Sequence, residues 1–193
     1  MYIKNLTLQN FKCFENLELD FHPKLTVIVG ANGSGKTSIL EGAAIAISTL
    51  FVKMDGLSAR SIDKTQARLK AFSVGSTKDV QPQYPVTVKA SAVIDNKEST
   101  WSRRLNKPTG NTTVIDARNI IDVGVQFQEQ LRKGDTSLVL PVIAYYGTGR
   151  LWDYHREKRN DVFGTNNRSN GYIDCVDGTA NIKLMMNWFL KMT

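Results

Sequence analysis

Leu25-Thr-Val-Ile-Val29, then Gly30-Ala-Asn-Gly-Ser-Gly-Lys-Thr37, then Ser38-Ile-Leu-Glu-Gly-Ala-Ala-Ile-Ala-Ile-Ser-Thr-Leu-Phe-Val52 is the stretch on which the fold turns. The first segment is apolar and β-branched without a break, the composition of a strand buried on both faces and central in its sheet. The third has no proline and is apolar nearly all round, so a helix lodged against a sheet is expected from Lys36 to about Lys53. Gly42 costs such a helix about 1 kcal/mol relative to alanine, which points to close packing at that position. Between them, Gly30 to Thr37 fits the pattern G-x-x-x-x-G-K-[ST] in the strand-to-helix context the motif requires. Glycines let the backbone curl so that successive N–H groups point at phosphate oxygens, and the helix beginning there adds the positive end of its dipole. Lys36 is expected to bridge the β- and γ-phosphates. Thr37 is expected to place its hydroxyl on Mg²⁺, because a hard cation wants oxygen ligands. A glycine-rich turn without a ligand would have no use for a lysine there.

Toward the N-terminus, Ile3, Leu6 and Leu8, then Leu17, Leu19 and Phe21, form two runs of period-2 character around the turn-prone region Asn10 to Asn16, which predicts a strand pair. Downstream, residues 54–83 are polar and weakly periodic and predict loop with one short helix around Lys64 to Phe72. Val86 to Ile94 alternates, Ser99 to Leu105 offers it a partner, and Asn106 to Asn111 is a turn cluster, so an antiparallel β insert is expected. Asn119 to Lys133 reads as an amphipathic helix, and Ser137 to Tyr146 as a second buried strand ending at Gly147-Thr-Gly149. A further helix is expected at about Asn181 to Lys191. The apolar end Trp188-Phe-Leu-Lys-Met-Thr193 is what a chain cut inside a larger architecture would carry.

The chain has 193 residues, of which 41% are hydrophobic and 22% charged, proportions that set aside disordered and fibrous proteins. The uncharged run Gly42 to Val52 is well short of the roughly 20 residues a spanning helix needs, and the N-terminus lacks the pattern of a secretory signal. A cytoplasmic location away from any membrane is expected. Cys13 and Cys175 are far apart and without metal or disulfide spacing, which fits reduced thiols. His22 and His155 are isolated, so neither a zinc site nor a metal-dependent nuclease is expected within the chain. A net charge of +7 favours polyanionic partners such as nucleotides or nucleic acid.

Leu6-x-Leu8-x-Asn10-Phe11-Lys-Cys-Phe14, Leu19-x-Phe21 and Leu25 to Leu40 together resemble the N-terminal lobe of ABC-type ATPases of the SMC and RecF-like group. Leu140-Pro-Val-Ile-Ala-Tyr-Tyr-Gly-Thr-Gly-Arg-Leu-Trp152, with Gly171-Tyr-Ile-Asp-Cys175 and Trp188-Phe-Leu beyond it, resembles the PtuA-type ATPases of Septu anti-phage systems, some of which accompany retrons. The resemblance implies an α/β P-loop NTPase fold, an ABC/SMC-type head lobe with a mixed sheet, an antiparallel β insert and a C-terminal helical segment. Residues 1–150 would form the lobe and 151–193 the start of a truncated helical insert. It further implies ATP and Mg²⁺ as cofactors, a head dimer closing around ATP, and a separate HNH-type nuclease partner, with DNA, tRNA or a retron reverse transcriptase and its RNA–DNA complex as further candidates. Gly30, Asn32, Gly33, Ser34, Gly35, Lys36, Thr37 and Ser38 would hold the nucleotide, Asn32 turning its amide to the γ-phosphate and Lys12 lying nearby.

Two family elements, the signature motif and the acidic Walker B pair, are not found in the 193 residues, so no catalytic residue is assigned and ATP binding without efficient hydrolysis is expected of this chain alone. Where the group carries a glutamine after its later strand, this sequence has Gly147-Thr-Gly-Arg150. Gln126, Gln128 and Gln130 fit surface amides of a helix. The segment Arg150 to Arg159, with Trp152, Tyr154 and His155 between its charges, suits a protein interface, nucleic acid or a solvated helix end. Arg103-Arg104 suits exposed charge on an edge strand. Beside the defence ATPase stand two other readings: a RecF-like repair ATPase gripping DNA itself, and a nucleotide-gated structural module without turnover.

Overall fold

The computed structural model describes residues 1–75, 77–151, 168–179, 186 and 189–190. Strand β1 (Tyr2–Phe11) and strand β2 (Phe14–Asp20) form a hairpin whose loop is only Lys12 and Cys13, with Phe11 paired to Phe14. The turn is narrower than the sequence suggests, because Asn10 and Lys12 both adopt positive φ, 49° and 51°, and reverse the chain within two residues. Helix α1 (Lys36–Ser48) follows and tightens into a 3₁₀ turn at Thr49–Phe51. Residues 54–83, read as loop, contain a 3₁₀ turn at Lys64–Gln66 and then a hairpin of β3 (Leu69–Val74) and β4 (Thr77–Pro82). The expected helix around Lys64 to Phe72 is therefore a single turn leading into a strand. The Asp63 carboxylate accepts from the Thr65 N–H, closing a capping box with Gln66 that fixes where the turn begins.

Strands β5 (Val86–Ile94) and β6 (Lys97–Leu105) complete a four-stranded antiparallel sheet of order β2-β1-β5-β6. Alternation sends Leu6, Leu8, Val86, Val88, Ala90, Trp101 and Leu105 to one face, where α1 lies across them. Gly42 is the point of closest approach: a Cβ there would come within 2.6 Å of Leu8 Cδ2, the close packing the sequence implied. The Trp101 indole N–H donates to the Ala46 carbonyl at 3.1 Å, tying β6 to the same helix. Helix α2 (Arg118–Arg132) packs against the 3₁₀ turn, with Gly124 against the Leu50 carbonyl and Ile120, Ile121 and Phe127 in the core.

Two side chains depart from expectation. Gln128 is buried, whereas Gln126 and Gln130 are exposed, because its position falls on the inward stripe of α2. Arg103 also points inward beside Trp101 and Leu105, donating to the carbonyls of Arg60 and Thr113, while Arg104 stays at the surface with Asp116. Burial pushes the Arg103 guanidinium down to about 10, still far above neutral, so it remains a cation.

The apolar runs 25–29 and 137–146 are not strands of any sheet. Leu25, Val27 and Val29 are 70% or more exposed, as are Val139 and Val142. Ile28 alone of the first run rests partly on the core, whereas in the second Leu138, Leu140 and Ile143 turn inward while Val139 and Val142 stay open, so only 137–146 has a covered face. Composition gave these segments strand character, yet a ladder needs a neighbouring backbone, and none pairs with them among the described residues. The expected helix at about Asn181 to Lys191 and most of Arg150 to Arg159, from Trp152 on, lie outside the described residues.

Candidate phosphate-binding site

The loop Gly30–Gly35 joins the extended segment 25–29 to α1, and its shape is set by glycine. Gly33 and Gly35 have φ of 81° and 91°, a region costly for residues with a Cβ. Gly35 is the N-cap of α1 and carries no side-chain cap, and no acidic residue occupies the first turn. The first N–H groups of the helix therefore face outward with only the dipole's positive end behind them, an arrangement suited to an anion. Ser34 N–H donates to the Ala31 carbonyl at 3.2 Å and folds the loop back on itself. Lys36 Nζ donates to the Gly30 and Ala31 carbonyls at 2.8 and 2.7 Å, so its ammonium curls over the loop. Asn32 and Thr37 are exposed beside it and Ser38 is half-buried. The donor set is backbone N–H, one ammonium and the hydroxyls of Ser34, Thr37 and Ser38, which fits a polyphosphate with a hard divalent cation.

The hairpin loop of β1 and β2 buttresses this cradle. A Cβ at Gly35 would lie 2.6 Å from Cys13 Sγ and against the Phe14 ring, so the hairpin tip leaves room only for glycine. Lys12, on the same tip, forms an ion pair with Glu41, one turn beyond Thr37 on α1. Gln66 Nε2 donates to the same Glu41 carboxylate at 3.3 Å, and the Lys12 N–H donates to the Gln66 carbonyl at 2.7 Å. Sequence reasoning reached Lys12 and missed Glu41, Gln66 and the Cys13–Gly35 contact. A carboxylate at the i+4 position from Thr37 was the available signal for Glu41; nothing in the sequence places Gln66 there.

Gly147 to Arg150 lies at the start of a 3₁₀ turn, Thr148–Leu151, and Gly147 abuts Gly178. Just before it, the Tyr145 N–H donates to the Cys175 carbonyl at 2.7 Å, and the Arg60 guanidinium sits 5.3 Å from the centre of the Tyr145 ring. Burial raises the Tyr145 hydroxyl above its usual range, with Glu41 adding to the shift. Among the described residues no group of three His, Cys, Asp or Glu could hold a metal, and no helix is long and apolar enough to cross a membrane.

A family model described as "AAA domain", AAA_23, matches residues 5–189. The chain belongs to this AAA domain family. Over 41 residues this AAA domain is 54% identical to the DNA replication and repair protein RecF of Clostridium acetobutylicum, covering 21% of the chain and 11% of that protein. Over 117 residues it is 27% identical to RecF of Listeria welshimeri, covering 60% of the chain and 31% of that protein. The matches thus span less than a third of these relatives. A solved chain from "Structural biochemistry of ATP-driven dimerization and DNA stimulated activation of SMC ATPases" aligns over 73% of this AAA domain and 87% of its own length, at 24% identity and a TM-score of 0.43.

Proposed function

We propose that the chain is the nucleotide-binding lobe of an SMC/RecF-like ATPase, with the cradle at Gly30 to Ser38 receiving Mg²⁺-ATP. The observation that carries this reading is the uncapped N-terminus of α1 behind a loop whose only side-chain cation, Lys36, curls over the same space. Backbone N–H groups of residues 33–37 would neutralise phosphate oxygens, Lys36 would exchange its two carbonyl partners for β- and γ-oxygens, and Thr37 would supply a hydroxyl to the metal. Asn32 would turn its amide toward the terminal phosphate, and Ser34 and Ser38 would line the cradle. Bound Mg²⁺-ATP supplies a phosphoanhydride whose cleavage can drive a change of state.

Two such lobes closing on ATP, and the closure governing an HNH-type nuclease in an anti-phage complex of the PtuA kind, is the fuller form of the proposal. The sequence likeness of residues 140–152 and 171–175 supports it. Residues 1–150 would be the lobe proper, with hydrolysis depending on acidic and signature elements outside these 193 residues. Titration of the protein with a fluorescent ATP analogue and Mg²⁺ is the test: wild type binds, and Lys36→Ala weakens binding at least about 100-fold without loss of fold. Equal affinity in both proteins rejects the reading. Sedimentation with and without ATP tests the dimer, and co-purification with the nuclease tests the partner.

A second reading, direct contact with DNA, has one observation of its own. The open face of the sheet bears a groove of about 500 Å³ whose lining includes Thr7, Gln9, Thr87, Lys89, Arg104 and Asp116, with Arg104 paired to the Asp116 carboxylate and Lys89 left as the cation that carries the reading. Hydroxyls, amides and cations of this kind contact phosphodiester backbones without reading sequence. A steep fall of DNA affinity with salt, shallower in Lys89→Ala, would favour it.

A further inference from the structure

Lys12 is the cation closest in sequence to the hairpin contact on Gly35, yet its ammonium is committed to Glu41. The pair is mostly buried, with the two side chains 31% and 17% exposed. Glu41 lies one helical turn, roughly 5.4 Å of rise, beyond Thr37, so a modest swing of the lysine carries its ammonium from the carboxylate to the mouth of the cradle. Glu41 would not be left bare by that move, because Gln66 Nε2 already donates to it. The backbone supports the swing without moving: Lys12 is held at φ 51° by the hairpin and by its N–H bond to the Gln66 carbonyl.

We infer that Glu41 is a positioning residue that holds Lys12 in reserve, and that phosphate entering the cradle competes with Glu41 for the Lys12 ammonium. This rests on the nucleotide-binding reading and adds a regulatory contact to it. Glu41 therefore sets affinity through Lys12, by making nucleotide binding break an existing ion pair. The hairpin tip, the 3₁₀ turn at Lys64–Gln66 and α1 meet at this carboxylate, so the exchange also reports occupancy of the cradle to two neighbouring elements.

The test is a double-mutant cycle on the full chain with Lys12→Met, Glu41→Gln and their combination, read by affinity for Mg²⁺-ATP and by melting temperature without nucleotide. Glutamine at 41 keeps an acceptor for Gln66, so the fold is preserved. Glu41→Gln tightens binding roughly threefold more in the Lys12 background than in the Lys12→Met background. Without nucleotide the two substitutions are non-additive in melting temperature, and at saturating Mg²⁺-ATP that coupling disappears. A gain from Glu41→Gln that is the same with and without Lys12 is only relief of negative charge near phosphate and overturns the inference, as does a coupling that persists at saturation. If wild type fails to bind Mg²⁺-ATP, the nucleotide reading and this inference fall together; if wild type binds, Lys36→Ala does not, and the cycle is additive, only this inference falls.

Discussion

At the scale of single residues, the site is governed by where a Cβ is permitted. Gly35 combines a positive φ with contact to Cys13 and Phe14, so Gly35→Ala incurs both backbone strain of about 1–2 kcal/mol and overlap with the hairpin tip. The expected outcome is a drop of at least about 2 kcal/mol in urea unfolding, together with lost nucleotide affinity. Cys13 offers a complementary probe. It is exposed beside Gly35, whereas burial pushes the Cys175 thiol up to about 12. In the native protein a maleimide should label Cys13 quickly and Cys175 only on unfolding, and labelled protein should lose nucleotide affinity because the adduct sits against the loop. Mass spectrometry of short labelling times, with nucleotide titration of the product, checks both halves. The P-loop glycines, Lys36 and Thr37 were legible because the motif is contiguous; Glu41 and Gln66 were not, because their meeting with Lys12 joins three separate stretches of chain.

At the scale of elements, two glycines fix how the helices seat, and they differ in what opposes them. Gly42 meets the end of the Leu8 side chain, which can give slightly, and alanine there regains about 1 kcal/mol of helix propensity. Gly124 meets the Leu50 carbonyl, which cannot move without dragging the 3₁₀ turn. Overpacking costs about 1–3 kcal/mol, so Gly42→Ala should be destabilising by about 1 kcal/mol and Gly124→Ala by more than about 2. Urea midpoints of the two variants rank them, and equal midpoints would refute this account of the seating. The hydrophobic periods of β1, β2 and β5 gave their faces directly, and that of α2 did so except at Gln128. The β3–β4 hairpin escaped because its strands are exposed on both faces and so lack the alternation that marks a half-buried strand.

Across the whole molecule, segment 137–146 is fastened to residues 168–176 by single hydrogen bonds rather than by a ladder. Tyr172 Oη donates to the Pro141 carbonyl at 2.6 Å, Arg168 to the Leu138 carbonyl at 2.7 Å, and the Tyr145 N–H to the Cys175 carbonyl at 2.7 Å, while Arg60 ties the second stretch down by donating to the Val176 carbonyl at 3.0 Å. Burial raises both Tyr172 and Cys175 to about 12, from ordinary values of 10.0 and 9.0. Groups whose folded pKa is raised give stability that is whole below the unfolded value and fades as pH climbs toward the folded one. Stability should therefore hold to about pH 9 and decline toward pH 12. Cys175→Ser, which removes the lower-titrating partner, should delay the onset by about one pH unit, as followed by melting temperature across pH 8–11. An unchanged onset would assign the alkaline loss elsewhere.

The sequence by itself determined the glycine-rich loop, the helix it opens, the strand pair before it and the antiparallel insert, because each is written in contiguous residues or in a short period. Only the tertiary structure decided that 25–29 and 137–146 run extended without strand partners, that Arg103 and Gln128 turn inward, and that Lys12 is held by Glu41. An apolar run states that a segment can pair or be buried; whether it does depends on which other backbone and side chains arrive beside it, and that is a property of the folded chain.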